Sequence, residues 1–136
     1  MTVFHWACLE GYSKIAKLLI EESTVLNIDL YVKDNVFCWT GFHYACYFGR
    51  KNIVEMILNN SKSHVFDLNA FDSFGRTGYQ LAQEEGMSAV VTIIKRIMPS
   101  IAIQRTKKEI NYLKNYLAKV HEIHKSQLLF ESTPPQ

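Results

Sequence analysis

The sequence predicts an all-α solenoid of helix–turn–helix units joined by hairpin-like connections, followed by a long C-terminal helix. A ten-residue pattern at residues 2–11 recurs about 38 positions later at residues 40–49, and a weaker copy lies at residues 77–86. A second apolar segment follows each copy, at residues 15–20, 53–58 and 90–94. Self-similarity at this period indicates stacked supersecondary units and disfavours a single globular enzyme fold.

The repeats divide the first part of the chain into three units. We predict that they span residues 2–39, 40–76 and 77–98, within a repeat region over residues 1–98. No unit of this size can bury its apolar face alone, so each is expected to stack on its neighbours.

Each unit carries signals for the ends of its first helix. A threonine precedes the apolar run and is typical of an N-cap, at Thr2, Thr40 and Thr77. A glycine follows the run and supplies the positive φ that ends the helix, at Gly11, Gly49 and Gly86. Small residues between them, Ala7-Cys8 and Ala45-Cys46, allow neighbouring helices to approach closely.

These motifs resemble the ankyrin-repeat family. The resemblance rests on three successive motifs: T-x-[aromatic]-H-x-A-C-x-x-G, then I-[AV]-x-[LM]-[LI]-[IL], then D-L-N-A-x-D-x-x-G-x-T at residues 67–77. The resemblance covers about residues 2–98, although the family's usual unit is about 33 residues. The extra residues fall at 21–28 and 59–66, where the resemblance implies surface connections. It also implies that His5 and His43 bridge backbone groups of adjacent units.

The resemblance implies a binding surface on the concave face, built from the hairpin tips and the exposed side of the first helices. We call the tips finger A (residues 34–39) and finger B (residues 72–76). The helix positions carried over are Leu9, Glu10, Tyr47, Phe48, Glu84 and Glu85. The finger positions are Val36, Phe37, Trp39, Ser73, Phe74 and Arg76. Aromatic side chains dominate this set and commonly anchor protein interfaces, so a protein or peptide ligand is the expected partner.

Finger A departs from the family pattern. It has one residue more than finger B, and Cys38 stands where glycine is expected. We expect a distorted turn that places Phe37 or Trp39 at the tip, the alternative for Trp39 being to pack back on the neighbouring unit. Three other aromatic residues are predicted to lie in the core: Phe4, Phe42 and Tyr79.

Catalytic and metal-binding patterns are weak. The chain has no glycine-rich phosphate loop or nucleophile elbow, and His121 and His124 have an i, i+3 spacing that differs from the i, i+4 of zinc helices. We therefore predict a non-catalytic protein-interaction module with no cofactor, no metal site and no catalytic residue.

Composition agrees with an intracellular binding module. The 136 residues are 48% hydrophobic with a formal charge of +2, which is too small to indicate a nucleic-acid ligand, and the three cysteines do not suggest a disulfide framework. No signal peptide or membrane-spanning segment is evident. A cytoplasmic or nuclear location is expected.

The N-terminal unit begins without a finger and presents apolar residues with no polar capping unit before them: Val3, Phe4, Trp6, Leu18 and Leu19. Solenoid ends usually need a polar cap. The hypotheses are that the chain belongs to a longer array, or that a partner or a second copy covers this end.

At the other end Gln80 replaces the motif histidine, and the more polar Gln83-Glu84-Glu85 indicates the last full unit, which Pro99 terminates.

A new amphipathic pattern over residues 101–129 predicts a long helix, with an apolar face at Ile103, Ile110, Leu113, Leu117, Val120 and Ile123. It could cap the array, break into two pieces, or self-associate as a short coiled coil.

The alternative function is a basic surface for nucleic acid or acidic membrane, formed by Lys95, Arg96, Arg105, Lys107, Lys108, Lys114 and Lys119. The tail, residues 130–136, is expected to be disordered.

Overall fold

A computed structural model of the protein describes residues 1–102 and 107–132. Within them, the side chains at positions 62, 65, 66, 107–110, 113, 124 and 126–132 lie outside the description. The chain divides into two compact parts, Met1–Ile103 and Gln104–Gln136.

The first part is a stack of three helix pairs. The pairs are α1 (Val3–Glu10) with α2 (Ser13–Glu22), α3 (Gly41–Tyr47) with α4 (Lys51–Asn60), and, after a 3₁₀ turn (Lys62–His64) and the short α5 (Val65–Leu68), α6 (Gly78–Glu84) with α7 (Ser88–Ile97). The first helices α1, α3 and α6 pack in one row, and the second helices α2, α4 and α7 pack in another. Throughout the described residues the secondary structure is helical, which confirms the predicted all-α solenoid.

The predicted threonine N-caps start the first helices, and each belongs to a capping box. In each unit the threonine hydroxyl accepts from the N–H three residues on, and that residue's side chain accepts from the threonine N–H. The second acceptor is His5 Nδ1 at 3.0 Å, His43 Nδ1 at 3.1 Å, or Gln80 Oε1 at 3.0 Å. Gln80 therefore preserves the cap although it replaces the histidine. A cap of this kind stabilises a helix by about 1 kcal/mol.

The two histidines also link successive units. His5 Nε2 lies 2.9 Å from the carbonyl of Trp39, and His43 Nε2 lies 3.2 Å from the carbonyl of Arg76. Because each Nδ1 accepts from a threonine N–H, the ring proton is on Nε2 and donates to that carbonyl. Burial lowers the pKa of His43 below its ordinary value, which favours the neutral ring this arrangement needs. Each histidine thus connects the first turn of its helix to the last residue of a finger through a hydrogen bond.

Close helix contacts depend on two glycines that follow the threonines. A Cβ placed on Gly41 would come within 2.6 Å of the Phe4 ring, and one on Gly78 would come within 2.9 Å of the Phe42 ring. Real Cβ atoms do not come this close to other atoms, so a larger residue at either position would push the neighbouring helix away. Gly41 packs against α1 and Gly78 packs against α3. The turns after the first helices also form as predicted, with left-handed φ values at Gly11, Gly49 and Gly86.

The core runs between the two rows of helices. Its fully buried side chains include Phe42, Ile53, Leu58, Leu68, Leu81 and Ile94, and Phe4 and Tyr79 are buried as predicted. Cys8 and Cys46 lie at equivalent buried positions as free thiols, and burial raises the pKa of both.

The C-terminal boundary differs from the prediction. Ile101 does not start the long helix; it lies in a separate short helix, α8 (Pro99–Ala102), and is buried within the first part. Pro99 ends α7 but also begins α8, because proline fits the first turn of a helix. The long helix α9 (Lys107–Ser132) starts later and ends later than expected.

Helix α9 forms the described portion of the second part. Its 26 residues correspond to about 39 Å, and its side chains Tyr112, Tyr116, Leu117, Val120 and Ile123 are exposed. Ile103, Ile110, Leu113 and the tail 133–136 lie outside the description, and residues 130–132, expected in the tail, are helical. None of the described helices combines the length and apolar character needed to cross a membrane. A capping or assembly role for α9 stays a prediction.

Candidate functional site

Finger A is built around the carboxylate of Asp34. Its Oδ1 accepts from the backbone N–H groups of Val36, Phe37 and Trp39 at 3.0–3.3 Å, and its Oδ2 accepts from the hydroxyl of Tyr44. Burial raises the pKa of Asp34, but the Tyr44 hydroxyl and the backbone donors together hold it below its ordinary value. The finger is therefore a closed loop around an ionised carboxylate.

Cys38 completes this loop in a strained conformation. Its φ is 58°, in the left-handed region where finger B has Gly75 at 74°. The loop still closes, since the Asp34 N–H donates to the Trp39 carbonyl at 2.9 Å. The missing glycine is thus accommodated at the cost of an unfavourable backbone conformation at one residue.

Finger B has the same frame around Asp72. Its Oδ1 accepts from the N–H groups of Phe74 and Arg76 at 2.9 and 2.8 Å. Its Oδ2 accepts from the indole N–H of Trp39 at 2.9 Å and from the Arg76 guanidinium at 3.1 Å. Burial raises the pKa of Asp72, and these donors more than offset that effect, so the carboxylate stays ionised. Asp72 therefore joins the two fingers.

Trp39 is buried and is not the surface contact residue that was predicted. It was expected among the contact residues, but it is only 5% exposed because its indole N–H reaches Asp72 and its ring fills the space between the fingers and α3. The ring centroids of Tyr44 and Tyr47 lie 4.9 and 5.1 Å away. The alternative interpretation, in which Trp39 packs back on its neighbours, agrees with the structure.

An aromatic patch lies over Trp39. We use this name for Phe37, Tyr47 and Phe48, of which the two phenylalanines are each 40% exposed. Phe37 is 5.0 Å from Trp39, and Tyr47 is 5.0 Å from Phe48, between ring centroids. The exposed Val36 extends the patch along finger A. Phe37 and Tyr47 each contact the ring of Trp39, so the patch residues are connected through this buried, hydrogen-bonded side chain.

The remaining predicted site residues occupy equivalent positions in the neighbouring units. Glu10 on α1 corresponds to Phe48, the residue after α3. Glu84, the last residue of α6, and Glu85, which follows it, are both exposed. Arg76 binds Glu84 at 3.4 Å and lies 5.2 Å above the ring of Phe74. Leu9 is half-buried against the core, and Ser73 is exposed on finger B.

Sequence reasoning did not identify the residues that organise the fingers. Asp34, Asp72 and Tyr44 are buried polar groups whose hydrogen bonds fix the backbone under the patch. A signal for the aspartates was present, because each begins its finger and is followed by a turn. Tyr44 gave no such signal, since its partner Asp34 is ten residues away in a different element.

A second apolar surface lies at the N-terminal end of the stack. We call it the outer face and define it by Val3, Trp6, Ile15 and Leu18, all of them exposed. Two other apolar residues of this end are covered, because Phe4, predicted to lie in the core, is buried against Gly41, and Leu19 is partly buried against the core.

An open groove of about 660 Å³ lies beside the connection between α2 and α3. Its lining includes Tyr31 and His64, whose rings stack at 4.8 Å, and none of the predicted site residues. Among the side chains that the structure describes, no three histidine, cysteine or carboxylate groups come together as a metal site would require.

Comparison with known families identifies the repeats. A family model described as ankyrin repeats in three copies matches residues 4–107, which is most of the chain. The search of curated proteins finds no significant match.

Proposed function

The chain belongs to the ankyrin-repeat family, and from that premise we propose that its aromatic patch binds an apolar segment of a protein or peptide partner. Ankyrin repeats generally mediate protein–protein interactions and are typically non-catalytic. The proposal adds the location and the chemistry of the contact, which are Phe37, Tyr47 and Phe48 with Val36 beside them.

This proposal rests on a comparison of equivalent positions in the three repeat units. Phe48 occupies the position that is Glu10 in the first unit and Glu85 in the third. Both glutamates are exposed, so the stack does not need an apolar side chain at this position. An aromatic residue there exposes apolar area that contributes little to folding, which is typical of a binding surface.

The support beneath the patch favours binding without rearrangement. Trp39 is held by Asp72, and finger A is held by three backbone hydrogen bonds to Asp34. A surface fixed in this way loses little conformational entropy when a ligand binds, so more of the contact energy appears as affinity. Aromatic anchors of this size bury about 150–250 Å² each.

The test uses a displayed library of random 12-residue peptides selected on the full chain. Phe37→Ala combined with Phe48→Ala should weaken the selected peptides at least about tenfold, because both anchors are truncated. The variant should stay folded, with a free energy of unfolding lowered by about 2 kcal/mol, because each side chain is 40% exposed and the rest of it is covered by its neighbours.

The matched control is Val25→Ala with Leu26→Ala, which removes two exposed apolar side chains from the connection after α2. This variant should retain full affinity. Peptides that bind the Phe37/Phe48 variant as well as the parent would overturn the proposal. A loss of stability well above about 2 kcal/mol would also overturn it, because it would place these side chains in the core.

Self-association through the outer face is the second candidate function, favoured by the exposed Val3, Trp6, Ile15 and Leu18. Light scattering over a concentration series, on the parent and on Trp6→Glu, tests it: a dimer that the substitution dissociates supports it, and a monomeric parent refutes it. In the basic-surface alternative, Lys95, Arg96, Lys114 and Lys119 are exposed, and the side chains of Arg105, Lys107 and Lys108 lie outside the description. A cytoplasmic or nuclear location is proposed on the free, buried thiols of Cys8 and Cys46.

A further inference from the structure

We infer that the partner segment is extended and carries basic residues on both sides of the apolar side chain that contacts the aromatic patch. The inference rests on the proposed function and specifies the chemical class of its ligand. It follows from the charges that flank the patch along the row of first helices.

Acidic side chains flank the patch on both sides. Glu10 is the last residue of α1, Glu84 is the last residue of α6, and Glu85 follows it. Glu10 and Glu85 are equivalent to Phe48, and Glu84 is equivalent to Tyr47, at the end of the intervening α3. All three glutamates are exposed. Within the described side chains, Glu10 and Glu85 have no ion-pair partner, so their carboxylates are available to a ligand.

The cations on the fingers are already engaged. Arg76 donates to Asp72 at 3.1 Å and contacts Glu84 at 3.4 Å, and its guanidinium covers the Phe74 ring. Lys33 donates to the carbonyl of Phe71 at 2.9 Å. The charge of Arg76 is offset by Asp72 and Glu84. Arg50, the residue before α4, lies beside the end of α1 and donates to the carbonyl of Leu9 at 2.9 and 3.1 Å. With these cations engaged, Glu10 and Glu85 are the carboxylates at the ends of the first helices that pair with no described cation. Charge complementarity therefore favours lysine or arginine in the ligand.

The spacing of the helices sets the spacing of the basic residues. Packed helices lie about 8–10 Å apart, so α1 and α6 are separated by roughly 16–20 Å across α3. An extended peptide in the polyproline II conformation advances about 3.1 Å per residue with three residues per turn, so side chains three residues apart lie on the same face about 9 Å apart. About three residues therefore separate the central apolar side chain from a cation on either side. A helical ligand would need about twice as many residues for the same span.

The experiment uses three displayed libraries of 11-residue peptides on the full chain. Each has an apolar residue at the centre, and the positions three residues to either side are fixed as Lys, Gln or Glu. The Lys library should be enriched about tenfold over the Gln library at low salt, and the Glu library should be depleted, because two exposed ion pairs together contribute about this factor. High salt should remove most of the difference.

Two triple variants assign the preference to particular carboxylates. Glu10→Gln with Glu84→Gln and Glu85→Gln should abolish the advantage of the Lys library. The matched control, Glu21→Gln with Glu22→Gln and Glu55→Gln, changes the net charge equally on the second helices and should preserve it.

The outcomes separate this inference from the proposed function. Equal enrichment of the Lys and Gln libraries, lost in the Phe37→Ala/Phe48→Ala variant, would overturn the charge inference and leave the aromatic site intact. Persistence of the Lys advantage in the first triple variant would also overturn it. Failure of all three libraries to yield peptides dependent on Phe37 and Phe48 would overturn the proposed function and this inference with it.

Discussion

The outer face and the aromatic patch both expose apolar side chains, but stacking between repeats accounts for the apolar residues of the outer face and not for those of the patch. The outer-face residues Val3 and Trp6 correspond to Gly41 and Tyr44 in the second unit, which pack on α1. Ile15 likewise corresponds to the buried Ile53. These positions are apolar because units stack through them, and they are exposed because they lie at the end of the stack.

The positions of the aromatic patch behave differently. Tyr47 and Phe48 have glutamates as equivalents in the third unit, and Phe48 has Glu10 in the first. Stacking does not account for aromatic residues at positions where charged side chains are accommodated. The internal repeats thus act as a control, since an exposed apolar residue whose equivalents are buried indicates stacking, and one whose equivalents are charged agrees with the binding site proposed above.

The largest expected effect comes from truncating equivalent residues in the stack and on its outer face. Tyr44→Ala should lower the free energy of unfolding by about 4 kcal/mol, because Tyr44 is 5% exposed and its loss leaves a cavity and an unpaired Asp34 oxygen. Trp6→Ala should cost about 1 kcal/mol, because half of that side chain is in solvent. Urea unfolding measures both. Equal losses would show that the outer face is not simply an uncovered stacking surface.

Acid should weaken the stack through its buried groups. The folded-state pKa of His43 is lowered, so the unfolded chain binds more protons as pH falls below about 6.5, and stability decreases from there. The pKa values of Asp34 and Asp72 are also lowered, so their contribution is present above about pH 4 and decreases below it. Urea unfolding from pH 8 to 3 should show two successive declines.

A variant taken from the third unit isolates the histidine contribution. His43→Gln reproduces Gln80, which keeps the capping box without a titrating ring. It should flatten the stability profile between pH 6.5 and the start of the aspartate decline. An unchanged slope in this variant would assign that decline to another group.

The smallest effect concerns the finger that supports the patch. Cys38→Gly should stabilise the protein by about 0.5 kcal/mol, because glycine relieves the left-handed conformation at a smaller entropic cost. Gly75→Ala in finger B should destabilise by about 1 kcal/mol. Peptide affinity should be unchanged in Cys38→Gly. Destabilisation by that substitution would mean that the Cys38 side chain contributes packing that outweighs the backbone strain.

The sequence was sufficient for the elements that depend on local chemistry. Thr40 and Gly49 act on the helix directly beside them, so the N-cap and the end of the helix could be predicted from the residues alone. The burial of Trp39 could not, because its acceptor Asp72 is 33 residues away and belongs to the other finger. Pro99 was ambiguous for a physical reason, since proline both ends one helix and suits the first turn of the next.

The candidate site was therefore predicted only in outline. The positions of Phe37 and Phe48 followed from the family pattern, and their exposure agrees with it. The hydrogen-bonded frame beneath them required the structure, because a short polar motif does not reveal which donors a buried carboxylate will receive.

The two tryptophans give the most direct test of the central claim, because one lies at each apolar surface. Trp6 is on the outer face, and Trp39 lies under the aromatic patch with its indole N–H bound to Asp72. A peptide selected from the Lys library is titrated into ¹⁵N-labelled protein, and the two indole N–H resonances, assigned with Trp6→Phe, are followed by NMR. The account predicts that the Trp39 signal shifts with saturation while the Trp6 signal does not move. A shift confined to Trp6 would place binding on the outer face and contradict the account.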